Sequence, residues 1–153
     1  MNRRTVLSST IAMLFVRPAF ARGDLTYEIV KSEEEWRAQL TSAEFNVLRD
    51  NGTERPFSSP LDEESRSGSF NCKGCELKVY VSETKFDSGT GWPSFYESVS
   101  NAVREFEEGF FLRRTELSCR RCGGHLGHVF NDGPPPTGKR HCINGIAMSF
   151  NLS

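Results

Sequence analysis

Apolar positions change their spacing about one third of the way along the chain, and the change marks a change of secondary structure. In "SEEEWRAQL", Trp36 and Leu40 lie one turn apart on one face; Ser32 stands at the N-cap and Glu35 completes a capping box. "TSAEFNVLRDNG" repeats the device with Thr41 and Glu44, and Gly52 is the expected stop. "TERPFSSPLDEESRSGS" has prolines and serines but little apolar content, and reads as loop. Beyond it the signals are extended. Leu77, Val79 and Val81 alternate with polar or amphipathic partners in "ELKVYVS", and "FEEGFFLRRTEL" and "GIAMSFNL" are further strand segments containing Phe. "NDGPPPTGKR" is a turn or loop, because three consecutive prolines cannot continue a ladder. The pattern predicts two N-terminal helices laid on an antiparallel β-domain.

Composition adds little. A chain of 153 residues, 37% hydrophobic and 25% charged, fits one soluble domain with a modest core. Twelve Phe point to an aromatic, sheet-rich interior. A formal net charge of −1 gives no electrostatic reason to expect nucleic acid.

The N-terminus does change the picture. "MNRRTVLSSTIAMLFVRPAFA" combines adjacent Arg3 and Arg4, a short apolar run and a small-x-small site, Ala19-Phe20-Ala21. It reads as a twin-arginine-like signal peptide over residues 1–21, with a mature domain over 22–153 and export to a bacterial periplasm; a mitochondrial presequence is the alternative. The run "IAMLFV" is too short to cross a bilayer of about 30 Å, so no stable membrane anchor is expected. Cleavage after Ala21 lowers 19 Lys+Arg to 16 against 20 Asp+Glu, a net charge of −4 that weakens a nucleic-acid role further.

Five cysteines carry the candidate chemistry. "CKGC" (Cys72, Cys75) and "CRRC" (Cys119, Cys122) are two C-x₂-C knuckles, which together supply a closed tetrahedral site for one structural Zn²⁺. Two disulfides are the competing reading. Cys75 and Cys119 are 44 positions apart, so a shared metal would clamp distant parts of the chain. The fifth thiol, Cys142 in "GKRHCING", has no partner and stands out as reactive. On a strand, Arg140, Cys142 and Asn144 point to one face, and His125 and His128 follow directly on the second knuckle in "HLGHVF". Each also has a plain reading: a lone Cys is ordinarily a small buried hydrophobe, the histidines could be loop residues or metal ligands, Trp92 could be core, and Asp132 a turn-former.

"KFDSGTGWPSF", "CRRCGGHLGHVFNDGPPPTGKRHCIN" and the upstream "CKGC" together resemble the B-type peptide-methionine (R)-sulfoxide reductases, from about Thr26 to Phe150. The resemblance implies a mainly β fold, with two antiparallel sheets forming a compact domain behind the short helices and a structural Cys₄ zinc site. It implies that Cys142 attacks the sulfoxide sulfur and becomes a sulfenic acid. His128 would be the direct proton donor, with His125 and Asp132 nearby; Arg140 would favour the thiolate and Asn144 would orient substrate or water. Trp92, with Phe130, would line the substrate pocket. Substrates would be oxidised proteins or free methionine sulfoxide, and the reductant a thiol such as thioredoxin, glutaredoxin or glutathione.

The chain departs from that family at three points. Position 141, usually aromatic, is His; "GIAM" follows Asn144 where Ser and Ala are usual; and Thr90 occupies the position of a resolving cysteine. Beside the enzyme stand a non-enzymatic zinc-binding interaction module, with Cys142 buried and the HLGH loop a partner surface, and a thiol peroxidase.

Overall fold

The computed structural model describes residues 26–109 and 113–153; the candidate leader over 1–21 and residues 110–112 of "FEEGFFLRRTEL" lie outside the described residues. Helices α1 (Glu33–Gln39) and α2 (Ser42–Asp50) both begin with the expected capping box. Ser32 N–H donates to Glu35 Oε2 at 2.7 Å, and Thr41 N–H donates to Glu44 Oε2 at 2.8 Å. These are local bonds between residues three apart, so the sequence alone specifies them. Helix α2 ends on Asn51 rather than Gly52. Asn51 takes the left-handed conformation (φ 56°), which asparagine tolerates better than other residues with a Cβ.

Nine strands follow among the described residues: β1 (Gly68–Cys72), β2 (Lys78–Val81), β3 (Lys85–Phe86), β4 (Ser94–Phe95), β5 (Val103–Glu108), β6 (Arg114–Cys119), β7 (His125–Phe130), β8 (Arg140–Ile143) and β9 (Met148–Leu152). They form two antiparallel sheets, one ordered β2-β1-β9 and the other β3-β4-β8-β7-β6-β5. The domain is therefore mainly β, with the two helices packed on it. "FEEGFFLRRTEL" contributes to two strands of a hairpin, β5 ending at Gly109 with φ 83°.

The alternation expected in "ELKVYVS" fails at Tyr80. Phe70 pairs with Tyr80 but Asn71 pairs with Lys78, so Val79 is the extra residue of a bulge. A bulge turns two successive side chains to one side, and Val79 and Tyr80 are both fully buried. Tyr80 stacks on Phe95 with centroids 4.3 Å apart, and Phe95 meets Phe70 edge to face at 5.0 Å. This aromatic cluster joins the three-stranded sheet to the six-stranded one and forms the centre of the core. No helix among the described residues is long and apolar enough to cross a membrane.

Candidate active site and metal centre

The two knuckles come from different sheets. Cys72 ends β1 and Cys75 lies in the turn to β2; Cys119 ends β6 and Cys122 lies in the turn to β7. Their four sulfurs lie within 4.8 Å of one another, with Cys72 to Cys122 at 3.7 Å and Cys75 to Cys119 at 3.4 Å. Tetrahedral thiolates on a metal at about 2.3 Å stand about 3.8 Å apart. The cysteines are free thiols rather than disulfides, and the cluster fits a metal ion. Such an ion ties the β1–β2 turn to the β6–β7 turn, and the helices brace it. Gln39 donates to the Gly74 carbonyl at 2.8 Å and Arg49 to the Cys122 carbonyl at 3.1 Å.

Three residues after Cys122, the same turn delivers β7, whose central Gly127 permits the site. A Cβ there would stand 2.0 Å from the Cys142 carbonyl oxygen, so only glycine lets β7 run this close to β8. Within the six-stranded sheet Cys142 pairs with His128 on β7 and with Ser94 on β4. Directly paired residues share a face, so His128, Cys142 and Ser94 form one row. Arg140, two residues from Cys142, shares that face. His141 between them points the other way, into the core, with Nδ1 3.1 Å from the Tyr80 hydroxyl. It stacks edge-on to Tyr80 and is 4% exposed. Burial holds it down at about 4, so it is neutral at physiological pH.

The remaining expected site residues fall into two groups. Arg140 is forked onto Asp132 by two bonds of 2.9 Å, Nε to Oδ1 and Nη2 to Oδ2, and its guanidinium lies 4.5 Å above the Phe130 ring. Arg140 holds the Asp132 carboxyl below its ordinary value. His125 and His128 rings are 5.4 Å apart. Asn144, by contrast, is committed to the backbone. Its Nδ2 donates to the Leu126 carbonyl at 3.0 Å and its Oδ1 accepts from Glu54 N–H at 3.0 Å. The half-buried Trp92 donates its indole N–H to the Glu54 carbonyl at 3.2 Å.

Burial pushes the Cys142 thiol up, opposed by the charge of Arg140 and by the Thr90 hydroxyl. Burial lowers His128, opposed by a hydrogen bond to Glu108 at 3.4 Å. The resting pair at neutral pH is therefore a thiol beside a neutral imidazole.

Sequence reading missed two carboxylates. Glu116 on β6, 1% exposed, accepts from His125 Nδ1 at 2.8 Å. This bond leaves His125 Nε2 buried and without a partner. Glu54 folds its carboxylate under the Asn144–Ile146 turn, accepting from Gly145 N–H at 2.5 Å and Ile146 N–H at 3.0 Å. An acid inside the strand "RTELSC" was a signal for the first; the loop around Glu54 carries none.

Comparison with known proteins agrees with this architecture. The SelR domain family matches residues 40–152. A peptide methionine sulfoxide reductase MsrB of Methanosarcina mazei is 50% identical over 125 residues, covering 80% of this chain and 89% of the relative. The MsrB of Agrobacterium fabrum is 49% identical over 130 residues, covering 83% and 96%. That of Pseudomonas entomophila is 50% identical over 127 residues, covering 80% and 95%. The chain belongs to the SelR-domain family, the B-type peptide-methionine (R)-sulfoxide reductases.

Proposed function

We propose that this protein reduces methionine-R-sulfoxide, in proteins or free, with Cys142 as nucleophile and His128 as the group that moves the proton. The observation that supports this most directly is the ladder pairing of His128 with Cys142, a raised thiol beside a lowered imidazole. The proton that Cys142 must lose is the one the sulfoxide oxygen must gain. Passed through His128, it frees the thiolate to attack sulfur while the oxygen becomes a hydroxyl. The sulfur–oxygen bond of the substrate breaks, methionine leaves, and Cys142 carries the oxygen as a sulfenic acid. No proton is needed from solvent.

The other groups hold this geometry. Arg140, fixed by Asp132, places a cation against the sulfur. Glu116 orders the His125 ring, which packs against His128 from behind. Asn144 fixes the end of β8 to β7 through the Leu126 carbonyl. Trp92 and Phe130 supply apolar walls.

The Cys₄ site holds one structural zinc, whose four thiolates leave no open position. Because the other four thiols serve the metal, Cys142–SOH is attacked by an external thiol, giving a mixed disulfide and water; a second thiol then restores Cys142. The reductant is glutathione or a protein of the thioredoxin or glutaredoxin kind. Arg3, Arg4 and the "AFA" site support export to the periplasm, with a mature chain beginning at Arg22.

Turnover of racemic methionine sulfoxide with dithiothreitol tests the reading. Consumption should stop at half, and Cys142→Ser should keep fold and metal yet abolish it. Full activity in Cys142→Ser refutes the assignment.

A further inference from the structure

A row of side-chain hydroxyls leads away from Cys142. Ser94 pairs directly with Cys142 across β4 and β8, which sets the row beside the nucleophile, and Thr90 is the hydroxyl of the row that acts on the thiol. Thr90 Oγ1 is 2.8 Å from Ser88 Oγ, Ser88 Oγ is 2.7 Å from Ser94 Oγ, and Ser94 Oγ is 3.0 Å from the Trp92 carbonyl oxygen. Ser94 is fully buried and Ser88 and Thr90 are half-buried, so this row is part of the structure and not a chance meeting on the surface.

Each hydroxyl has one proton. A carbonyl only accepts, so the Ser94 proton lies on the Trp92 oxygen. The Ser88–Ser94 bond must then use the proton of Ser88, and the Thr90–Ser88 bond that of Thr90. Thr90 has none left for the sulfur. Towards the resting thiol it is an acceptor, taking the S–H. Once the sulfur is ionised, Thr90 can donate to it only if all three hydroxyls reverse and the Trp92 carbonyl gives up its donor.

We propose that Ser88, Thr90 and Ser94 form a hydroxyl wire, pinned by the Trp92 carbonyl, that holds Cys142 as a thiol at rest and reverses to stabilise its thiolate. Ser88 and Ser94 are positioning residues, acting through Thr90. A bound substrate favours the reversed polarity, because His128 then has an oxygen to which it can pass the proton. The half-buried nucleophile is thereby shielded from oxidants between turnovers, since the thiolate is the reactive form.

Other groups around the sulfur do not replace the wire. Arg140 on the same strand, with Asp132 behind it, is a fixed cation. His128 on β7 has Glu108, His125 and Glu116 behind it. The turn before β4 adds Asp87, whose Oδ1 is occupied by Gly89 N–H at 2.8 Å.

The wire has a signature that general packing does not: two neighbouring substitutions should move Cys142 in opposite directions. This rests on Cys142 being the nucleophile, but the readout does not need turnover. The rate of Cys142 alkylation by iodoacetamide, followed by peptide mass spectrometry on the metal-loaded protein from pH 6 to 10, gives the midpoint of thiol ionisation. Thr90→Val removes the donor and should raise the midpoint by about one pH unit, as expected for one hydrogen bond to a charged group. Ser88→Ala frees the Thr90 proton for the sulfur and should lower the midpoint by about half a pH unit, the effect of relieving one ordinary hydrogen bond. Ser94→Ala should act in the same direction as Ser88→Ala, and Thr90→Ser should behave as the native protein. A Ser88→Ala or Ser94→Ala midpoint that is unchanged, or moves up with Thr90→Val, overturns the wire. Retained activity in Cys142→Ser would instead overturn the underlying reading, so the two failures are distinct.

Discussion

Replacing His141 with phenylalanine exchanges a buried imidazole for the aromatic side chain usual at that position, and its effect should reverse with pH. At neutral pH the change strands the fully buried Tyr80 hydroxyl, whose partner is His141 Nδ1 at 3.1 Å. Losing one partner of a buried hydrogen bond costs about 1–3 kcal/mol. The native histidine carries a liability of its own. Burial holds it at about 4 against an ordinary 6.5, with Glu105 opposing and Lys139 assisting the shift. In the folded state the depressed value favours neutral imidazole, so its stabilisation is complete above pH 6.5 and is lost as pH falls from 6.5 towards 4. Between pH 7 and pH 5 this one group removes about 2 kcal/mol. The His141→Phe protein should therefore be less stable than native at pH 7 by about 2 kcal/mol, and the difference should close near pH 5. Urea unfolding of metal-loaded protein, followed by the fluorescence of Trp36 and Trp92 at pH 8, 7, 6 and 5, measures it. Adding Tyr80→Phe should recover most of the neutral-pH loss, because both partners of the bond are then apolar. Stability curves that run parallel for native and His141→Phe would refute the assignment of a buried neutral histidine.

Three further outcomes can be checked directly. Elemental analysis should find about one zinc per chain, and Cys119→Ser should abolish cooperative unfolding, because the metal ties together turns from separate sheets; active protein free of metal contradicts this. Glu116→Gln should slow sulfoxide reduction by on the order of tenfold, less than the 10²–10⁴ expected on removing a general acid, while leaving Cys142 alkylation unchanged; a shifted alkylation profile would show that Glu116 acts on the thiol. Thr90→Cys places a thiol where a hydroxyl now acts on the Cys142 thiol. It should give an internal disulfide after one turnover and a faster thioredoxin-supported rate, whereas mass spectrometry of the native protein should find dimedone-trappable sulfenic acid instead.

How much was legible in the sequence followed the range of each interaction. Both capping boxes close over three residues, and both were readable. The metal cluster was readable too, because each C-x₂-C knuckle is local and only their meeting is not. Tyr80 was misplaced because a bulge depends on the partner strand, which periodicity cannot see. The row Ser94–Cys142–His128 was beyond reach for the same reason: it is set by register across three strands, with Ser94 34 residues before His128 and His128 14 before Cys142. His141 was partly readable. With Cys142 and Arg140 on the outward face, strand alternation alone turns His141 inward, although its partner Tyr80 comes from the other sheet. Glu54 and Glu116 left the weakest traces, since a carboxylate becomes structural only when folding brings N–H donors or an imidazole to it.

Position 90 joins the two halves of the chemistry. Its side chain acts on the Cys142 thiol, so in the proposed cycle whatever stands there also influences the oxidised product. A cysteine can close on the sulfenic acid and release water, but a thiol is a weak hydrogen-bond donor and acceptor. Such a residue would resolve the intermediate and leave the hydroxyl row without its end. Threonine does the reverse: it completes the row through Ser88 and Ser94 to the Trp92 carbonyl and cannot form a disulfide. The other four thiols are gathered in the metal cluster, and drawing one out would open the link between the sheets. In the proposed cycle, Thr90 exchanges internal resolution for control of the nucleophile's proton, and the second half then depends on a thiol from outside the chain.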